Sequence, residues 1–117
     1  MEVEFYSTPA GDEVVGEFLS SLPDKDLAKA LRGIELLKQM GLELREPNVK
    51  HLEGPIWELR IKFSTNAYRI LYVVCDENTV VLLHGFMKKT QKTPRTEIAI
   101  AKSRWAELEK RRSQKDR

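Results

Sequence analysis

The stretch that decides the fold is residues 56–75, IWELRIKFSTNAYRILYVVC. Its first part alternates between apolar and charged side chains, and this period of two predicts a β-strand with one face in the core. The apolar set is Trp57, Leu59, Ile61 and Phe63, and the charged set is Glu58, Arg60 and Lys62. The segment AYRILYVVC predicts a second strand, and the polar STNA between them predicts a turn. The stretch therefore indicates a β-hairpin.

The register of this hairpin follows from its turn. A loop at Thr65-Asn66, or a longer loop over STNA, predicts the pairs Phe63–Tyr68, Lys62–Arg69, Ile61–Ile70, Leu59–Tyr72 and Trp57–Val74. One face is then wholly apolar and is expected to pack on helices.

A third strand, TVVLLHGFMK, follows after the polar DEN. The tightest connection, a turn at Glu77-Asn78, predicts the pairs Asp76–Thr79, Val73–Leu82, Leu71–His84 and Arg69–Phe86. Together the two registers place a group of mostly basic side chains on the face opposite the apolar one. This group is Arg60, Lys62, Arg69, His84, Phe86 and Lys88.

Helical patterns flank these strands on both sides. Val3 and Phe5 predict a short first strand, and Thr8 before Pro9 predicts the start of a helix. A second helix is expected from near Asp24 to Gly41, with the apolar stripe Leu27, Leu31, Ile34, Leu37 and Met40. A last helix is expected from Pro94 to about Lys110, capped by Thr93, with the inner stripe Ile98, Ala101, Trp105 and Leu108. Trp57 and Trp105 are expected in the core, and the polar tail 111–117 is expected to fray.

Length and composition predict one domain over residues 1–117, with 41% hydrophobic and 32% charged residues. No apolar run approaches the roughly 20 residues of a membrane helix, and the N-terminus has no basic region typical of a signal peptide. The single cysteine, Cys75, has no partner for an internal disulfide. These features predict a cytoplasmic protein that does not bind membranes.

The charge is unevenly distributed, although the net charge is only +2. Acidic residues are concentrated near the N-terminus, whereas residues 84–95 hold no acid and four bases, Lys88, Lys89, Lys92 and Arg95. Such polarity indicates an anionic ligand at one end of the molecule. The sequence has no glycine-rich phosphate loop, no G-x-S-x-G and no metal-ligand spacing, so we expect neither a metal nor a cofactor.

The basic face suits a polyanion, because arginine and lysine bind phosphates and an aromatic ring such as Phe86 can stack on a base. A structural interpretation remains open for each residue taken singly. An uncovered sheet face is often charged for solubility, Lys88 and Lys89 suit a solvated strand end, and His84 suits a structural histidine.

The segments WELR, YRILY and LLHGFMKKTQKTP, followed by a helix containing EIAIAKSRW, resemble the RelE/ParE toxin superfamily, and within it the phage-derived HigB-like branch. The likeness covers nearly the whole chain. It implies an α+β fold: a twisted, antiparallel-dominated sheet of about four to five strands, an N-terminal helical hairpin on one face and a C-terminal helix. It also implies the toxin of a type II toxin–antitoxin pair, which cleaves mRNA in the ribosome decoding site and forms a hetero-oligomer with a HigA-like helix-turn-helix antitoxin.

The resemblance carries over residue by residue. It implies that Arg60 occupies the basic position in the strand of WELR and that Arg69 contacts the scissile phosphate. It also implies that Lys88, Lys89 and Lys92 belong to a phosphate-binding stretch after the last strand. Some relatives use a C-terminal tyrosine for proton transfer, but no Tyr follows Tyr72 here. We therefore expect His84 or a lysine in that role, with Arg60, Arg69, His84 and Lys88 catalytic and Lys62, Phe86, Lys89 and Lys92 binding RNA.

The expected reaction is metal-independent attack of a ribose 2′-OH on its own 3′-phosphate, giving a 2′,3′-cyclic phosphate and a 5′-OH. Two alternatives stay open. The superfamily also includes ParE-like proteins, which bind DNA gyrase without cleaving nucleic acid, and the basic face also suits an RNA-binding module without catalysis.

Overall fold

The computed structural model describes residues 1–115 and forms an α+β fold, as predicted. Its elements in chain order are β1 (Glu2–Phe5), α1 (Val14–Ser20), α2 (Asp24–Met40), β2 (Val49–Glu53), β3 (Ile56–Phe63), β4 (Asn66–Asp76), β5 (Thr79–Lys88) and α3 (Arg95–Lys115). The five strands lie in the order β1-β5-β4-β3-β2. Every neighbouring pair is antiparallel except β1 and β5, which are parallel.

Helices cover the sheet on both faces. Helices α1 and α2 lie on one face, where Val15, Ile34 and Leu37 pack against Leu59 and Ile70 from the strands. Helix α3 lies on the other face, and its side chains pack against a second cluster of strand residues. The strand residues of that cluster are Ile56, Leu71, Val73, Val81 and Leu83, and Ala101 of α3 packs among them. The basic face is therefore partly covered, which corrects the expectation of an uncovered sheet face.

The β3–β4 hairpin keeps the predicted faces, but its register is displaced from the prediction. Its two-residue turn is Ser64-Thr65, with Ser64 at φ +56°, and Phe63 pairs with Asn66. Arg60 then pairs with Arg69, where the sequence predicted Lys62. Asn66 begins β4, and its side-chain amide donates to Asp26 on α2 at 3.2 Å. This long-range contact favours the observed turn, and a local turn rule does not include it.

Two β-bulges interrupt the β4–β5 hairpin. The pairs Asp76–Thr79, Leu71–His84 and Arg69–Phe86 are confirmed, whereas Val73 pairs with Val81 and not with Leu82. Leu83 is the extra residue at one bulge and Cys75 at the other. The second bulge reverses the one-residue shift in register that the first introduces. The first bulge turns both Leu83 and His84 toward α3, because a bulge reverses the in–out alternation of a strand.

The first helix begins later than predicted. Thr8 does not cap it, because residues 8–12 form a turn in which the Thr8 hydroxyl accepts a hydrogen bond from the Asp12 amide at 3.1 Å. Gly11 closes this turn at φ +94° and donates its amide to the Thr8 carbonyl at 2.8 Å. Helix α2 has the predicted bounds, but Leu31 and Met40 are 48% and 41% exposed, and Ala30 lies in the core instead.

The last helix is longer than predicted and continues through Lys115, so the tail is helical as far as it is described. Residues 116 and 117 of the predicted frayed tail lie outside the described residues. Thr93 precedes the helix but gives its hydroxyl hydrogen to Glu58. Trp57 and Trp105 are only half-buried at the margins of the two clusters, which corrects the prediction of two core residues.

None of the helices within residues 1–115 has the length and apolar character needed to cross a membrane.

Candidate functional site

A buried carboxylate lies at the centre of the basic face. Glu58 on β3 is completely buried. Its Oε1 accepts a hydrogen bond from Nε of Arg60 at 3.1 Å and lies 3.5 Å from Nε of Arg69. Arg60 and Arg69 are cross-strand partners on β3 and β4. One carboxylate oxygen therefore lies close to both guanidinium groups and offsets part of their positive charge. We call Arg60, Arg69 and Lys88 the cation cluster, and Glu58 is the carboxylate that pairs with its two arginines.

The other oxygen of Glu58 accepts the hydroxyl hydrogen of Thr93. Thr93 is buried and lies near the C-terminal end of the loop of residues 89–94, which connects β5 to α3. This hydrogen bond fixes the C-terminal end of the lysine-rich loop to the centre of β3. The loop therefore starts and ends beside the cation cluster.

The side chain of Arg69 is more buried than is usual for a charged residue. Its side chain is only 12% exposed, and Nη1 donates to the Tyr68 carbonyl at 3.0 Å. Its Nε is buried and makes no hydrogen bond within the described residues, although Glu58 lies close. Burial lowers the pKa of Arg69, with Glu58 acting in the opposite direction. The guanidinium thus has unused hydrogen-bonding capacity in a partly desolvated place.

Lys88 completes the cation cluster at the end of β5, opposite Ala67. Burial lowers its pKa, and the positive charge of Arg69 lowers it further. A lysine whose charged form is destabilised in this way gives up its proton more readily than a solvated one.

Two concave regions meet at Lys88 and Gln91, which line both. The first is a cavity of about 340 Å³ between β2, β3 and the start of α3, with Glu58, Arg60 and Thr93 in its wall. The second is a shallow groove of about 610 Å³ along β3 and β4. The groove is lined by Lys62, Thr65, Ala67, Arg69, Lys88, Lys89, Thr90 and Gln91. The cation cluster therefore lies between two spaces that open to either side of it.

An ion-pair group lies beside the first cavity, and two of its members, Glu53 and Arg95, line the cavity wall. Glu53 on β2 accepts hydrogen bonds from Arg95 and Lys102 of α3. The Arg95 hydrogen bond, followed by that of Lys102, lowers the pKa of Glu53 to about 2. These contacts tie the first turns of α3 to the edge strand of the sheet.

His84 lies on the same face but turns away from the two concave regions. Nε2 is 3.0 Å from Oε2 of Glu97, and Nδ1 is 3.1 Å from Nη1 of Arg104. Its ring stacks on Phe86 with centroids 5.5 Å apart. Burial lowers the pKa of His84, while the hydrogen bond from its ring to Glu97 raises it and Arg104 lowers it. Both ring nitrogens are thus occupied by residues of α3.

The predicted site residues fall into two groups. Arg60, Arg69 and Lys88 come together in the cation cluster, and the exposed Lys62, Lys89 and Lys92 lie around the two concave regions. Within residues 1–115, neither concave region is lined by His84 or Phe86.

Sequence reasoning missed Glu58 and Thr93 as members of the site. Glu58 appeared as one more solvent-facing charge in the alternation of β3, and Thr93 as a helix cap. A signal was present in the pattern: Glu58 is the one acid among the strand residues predicted to share a face with Arg60 and Lys62. A single carboxylate among cations is expected to pair with them.

The acidic, histidine and cysteine side chains of residues 1–115 include no group of three or more placed to hold a metal ion.

The sequence of the chain is similar to one protein family and to two named relatives. Residues 17–106 match the family described as phage derived protein Gp49-like. Two relatives from Mycobacterium tuberculosis, of strains CDC 1551 / Oshkosh and ATCC 25618 / H37Rv, each bear the name "Probable endoribonuclease HigB1". Each is 30% identical over 100 residues, which cover 86% of this chain and 78% of the relative. The predicted resemblance is confirmed, and the chain belongs to the phage-derived Gp49-like family of RelE/HigB-type toxins.

Proposed function

We propose that this chain is the toxin of a type II toxin–antitoxin pair and that it inhibits translation by cleaving mRNA in the decoding site of the ribosome. The observation that carries the proposal is the convergence of Arg60, Arg69 and Lys88 between two concave regions. An RNA strand laid across the face would place one phosphate at the cation cluster and a nucleotide on either side. The name of the two HigB1 relatives as probable endoribonucleases supports the same activity.

The proposed reaction uses the RNA's own nucleophile. The ribose 2′-OH loses its proton and attacks the adjacent phosphorus, and the bond from phosphorus to the 5′-oxygen breaks. The leaving oxygen takes up a proton, so the products are a 2′,3′-cyclic phosphate and a 5′-OH. Arg60 and Arg69 stabilise the added negative charge of the phosphorane, because each guanidinium keeps its charge and can donate to two oxygens. Neither a metal nor a cofactor takes part in this scheme.

Proton transfer is better matched to Lys88 than to His84. The sequence left this role to His84 or a lysine, and only Lys88 lines both concave regions among these candidates in the described part of the chain. Burial and the charge of Arg69 lower the pKa of Lys88, which makes it a better proton donor than a solvated lysine. His84 then orients the α3 side of the site through Glu97 and Arg104.

The remaining parts of the proposal concern partners and place. The open groove leaves RNA exposed on one side, so the ribosome is expected to supply much of the substrate positioning. In a cell the chain would act in the cytoplasm and would be neutralised in a hetero-oligomer with a HigA-like helix-turn-helix antitoxin.

The test is cleavage mapping in a purified translation reaction. The chain is added to ribosomes translating a defined mRNA, and new 5′ ends are mapped and checked for a 5′-OH. The same mRNA without ribosomes is the control, and we expect it to be cut slowly. An intact mRNA in the translating reaction contradicts the proposal. If induction in cells instead triggers DNA-damage signalling while translation continues, the ParE-like gyrase-binding alternative is favoured.

A further inference from the structure

We propose that Glu58 is a positioning residue for the cleavage reaction, which holds the two arginines and the lysine-rich loop in one fixed arrangement around the phosphate site. This inference rests on the proposed function. Glu58 itself makes no contact with RNA in this scheme, because its two oxygens are already occupied by Arg60, Arg69 and Thr93.

The burial of Glu58 is the first observation behind the proposal. A completely buried carboxylate carries a large desolvation cost unless it is paired, and a hydrophobic residue usually stabilises a fold as well or better. On this face of the sheet its neighbours Ile56 and Leu71 are buried and apolar, whereas Lys50 and Arg60 are basic, so the carboxylate lies at the border between the core and the cations. A charge at this position is therefore explained better by the arginines that it holds than by stability.

The geometry of the arginines is the second observation. Arg60 and Arg69 are direct cross-strand partners, and like charges in such a pair repel. Glu58 Oε1 lies within 3.5 Å of both Nε atoms. This leaves the outer nitrogens of both guanidinium groups free of Glu58, because it contacts each group from the Nε side. One carboxylate thus allows two cations to approach the same phosphate.

The link to Thr93 is the third observation. Because Thr93 joins Glu58 to the end of the 89–94 loop, the same carboxylate also fixes the distance between the arginines and the loop that carries Lys89 and Lys92. A change at Glu58 is expected to loosen both parts of the site at once. Misplacement of catalytic groups by about 1 Å can reduce a rate by about 10²-fold.

The test separates RNA binding from RNA cleavage in Glu58→Gln. The amide keeps the size of the side chain but removes its charge. We expect the cleavage rate at saturating ribosome complex to fall by about 10²-fold. Binding of the complex should be unchanged or tighter, because the site loses one negative charge. A folded Glu58→Gln variant that cleaves at the wild-type rate overturns the proposal.

Asp26→Asn is the matched control. Asp26 is the other carboxylate in the described part of the chain that lies in the core, and Tyr68 and Asn66 donate to it on the opposite face of the sheet. Its amide variant should lose stability, yet cleave at the wild-type rate well below its melting temperature. Equal losses of cleavage in both variants would show a merely structural role and overturn the proposal. If Glu58→Gln does not fold, Thr93→Val takes its place, and wild-type cleavage by that variant overturns the proposal.

A second readout does not depend on activity. The Nε–H signals of Arg60 and Arg69 in a nitrogen-15 NMR spectrum report the position of each guanidinium. They should shift in Glu58→Gln and stay in place in Asp26→Asn, and unshifted signals in Glu58→Gln overturn the proposal. If the wild type fails to cut mRNA but these signals do shift, the proposed function fails while the arrangement around Glu58 stands.

Discussion

Gly85 on β5 lies directly against the ring of Phe18 on α1: a Cβ at this glycine would be 2.4 Å from Cδ2 of the ring. This contact joins the first helix to the strand that leads to the candidate site. Gly85→Ala therefore has to displace Phe18, and we expect the free energy of unfolding to fall by about 1–3 kcal/mol, as for other overpacked cores. Urea denaturation measures this change.

Gly16→Ala in the same helix is the control for Gly85→Ala. A Cβ at Gly16 would be 3.7 Å from the nearest side-chain atom, which is an ordinary contact. Alanine also favours a helix interior over glycine by about 0.5–1 kcal/mol, so this variant should be more stable than the wild type. Equal effects of the two substitutions would contradict the packing of Phe18 on Gly85.

Tyr68→Phe tests the buried contact beneath α2. The Tyr68 hydroxyl donates to Asp26, and this hydrogen bond raises the pKa of the tyrosine. Removing the hydroxyl leaves a buried carboxylate with only the Asn66 amide as donor in the described residues. We expect a loss of about 1–3 kcal/mol in the free energy of unfolding with mRNA cleavage retained. A variant as stable as the wild type contradicts this account.

Arg69→Ala tests the cation cluster. We expect mRNA cleavage to fall by about 10²- to 10³-fold and growth inhibition to be lost, because the proposed mechanism uses Arg69 to stabilise the phosphorane. Arg32→Ala is the control, since Arg32 is an exposed arginine of α2 on the opposite side of the sheet. Circular dichroism confirms that both variants are folded. A folded Arg69→Ala variant that still inhibits growth shows that the site is elsewhere.

The lysine-rich loop is tested by changing Lys88, Lys89 and Lys92 together to Gln. Each phosphate contact that is lost should reduce the slope of log affinity against log salt concentration by about 0.7 to 0.9. Thermal stability should hardly change, because Lys89 and Lys92 are exposed and Lys88 is partly buried beside like charges, so none of the three stabilises the fold strongly. The matched control changes Lys25, Lys29 and Lys38, three exposed lysines of α2. If the wild type and the loop variant bind ribosomes with the same salt slope, these lysines are ordinary surface charges.

His84 predicts a dependence of stability on pH. Burial lowers its pKa in the folded chain, so below about pH 6.5 the unfolded chain binds a proton that the folded chain does not. The free energy of unfolding should therefore fall as the pH drops below that value, until the folded histidine also becomes protonated. Glu97 opposes this effect and Arg104 adds to it.

His84→Gln isolates this contribution, because glutamine can still donate to Glu97 but does not titrate. Urea denaturation at about pH 7.5 and about pH 5.5 should show a larger loss in the wild type than in the variant, by up to about 1.4 kcal/mol for each unit of pKa shift. Equal losses in the two proteins would mean that His84 does not contribute.

The sequence predicted the parts of the fold that depend on local pattern. Alternation in β3 and helical spacing in α2 assigned these elements, and the tight turn at Glu77-Asn78 fixed most of the last hairpin. The predicted β3–β4 register was wrong by two residues; the observed one is favoured by a hydrogen bond between Asn66 and Asp26, which are far apart in the chain. The bulge at Leu83 cannot be recognised from the sequence, because it lies in a run of consecutive apolar residues, which shows no alternation.

The candidate site was predicted as a set of cations but not as an arrangement. Strand alternation placed Arg60 and Arg69 on one face, and the structure also puts them beside Lys88. The alternation in the sequence could not indicate that Glu58 is buried, since burial of that side chain depends on Thr93 and on α3, which packs over the sheet. Nor could it indicate that His84 is held by Glu97 and Arg104.

The parallel pairing of β1 with β5 has a consequence for how the chain is made. Glu2 of β1 pairs with Thr79 of β5. During synthesis β1 therefore leaves the ribosome before β5, and it cannot pair in the sheet until β5 has been made. Pairing over such a separation is slow to form because a long loop must close first. The N-terminal strand is therefore added late, after most of the chain has been synthesised, and a nascent chain that stops short of β5 cannot complete its sheet.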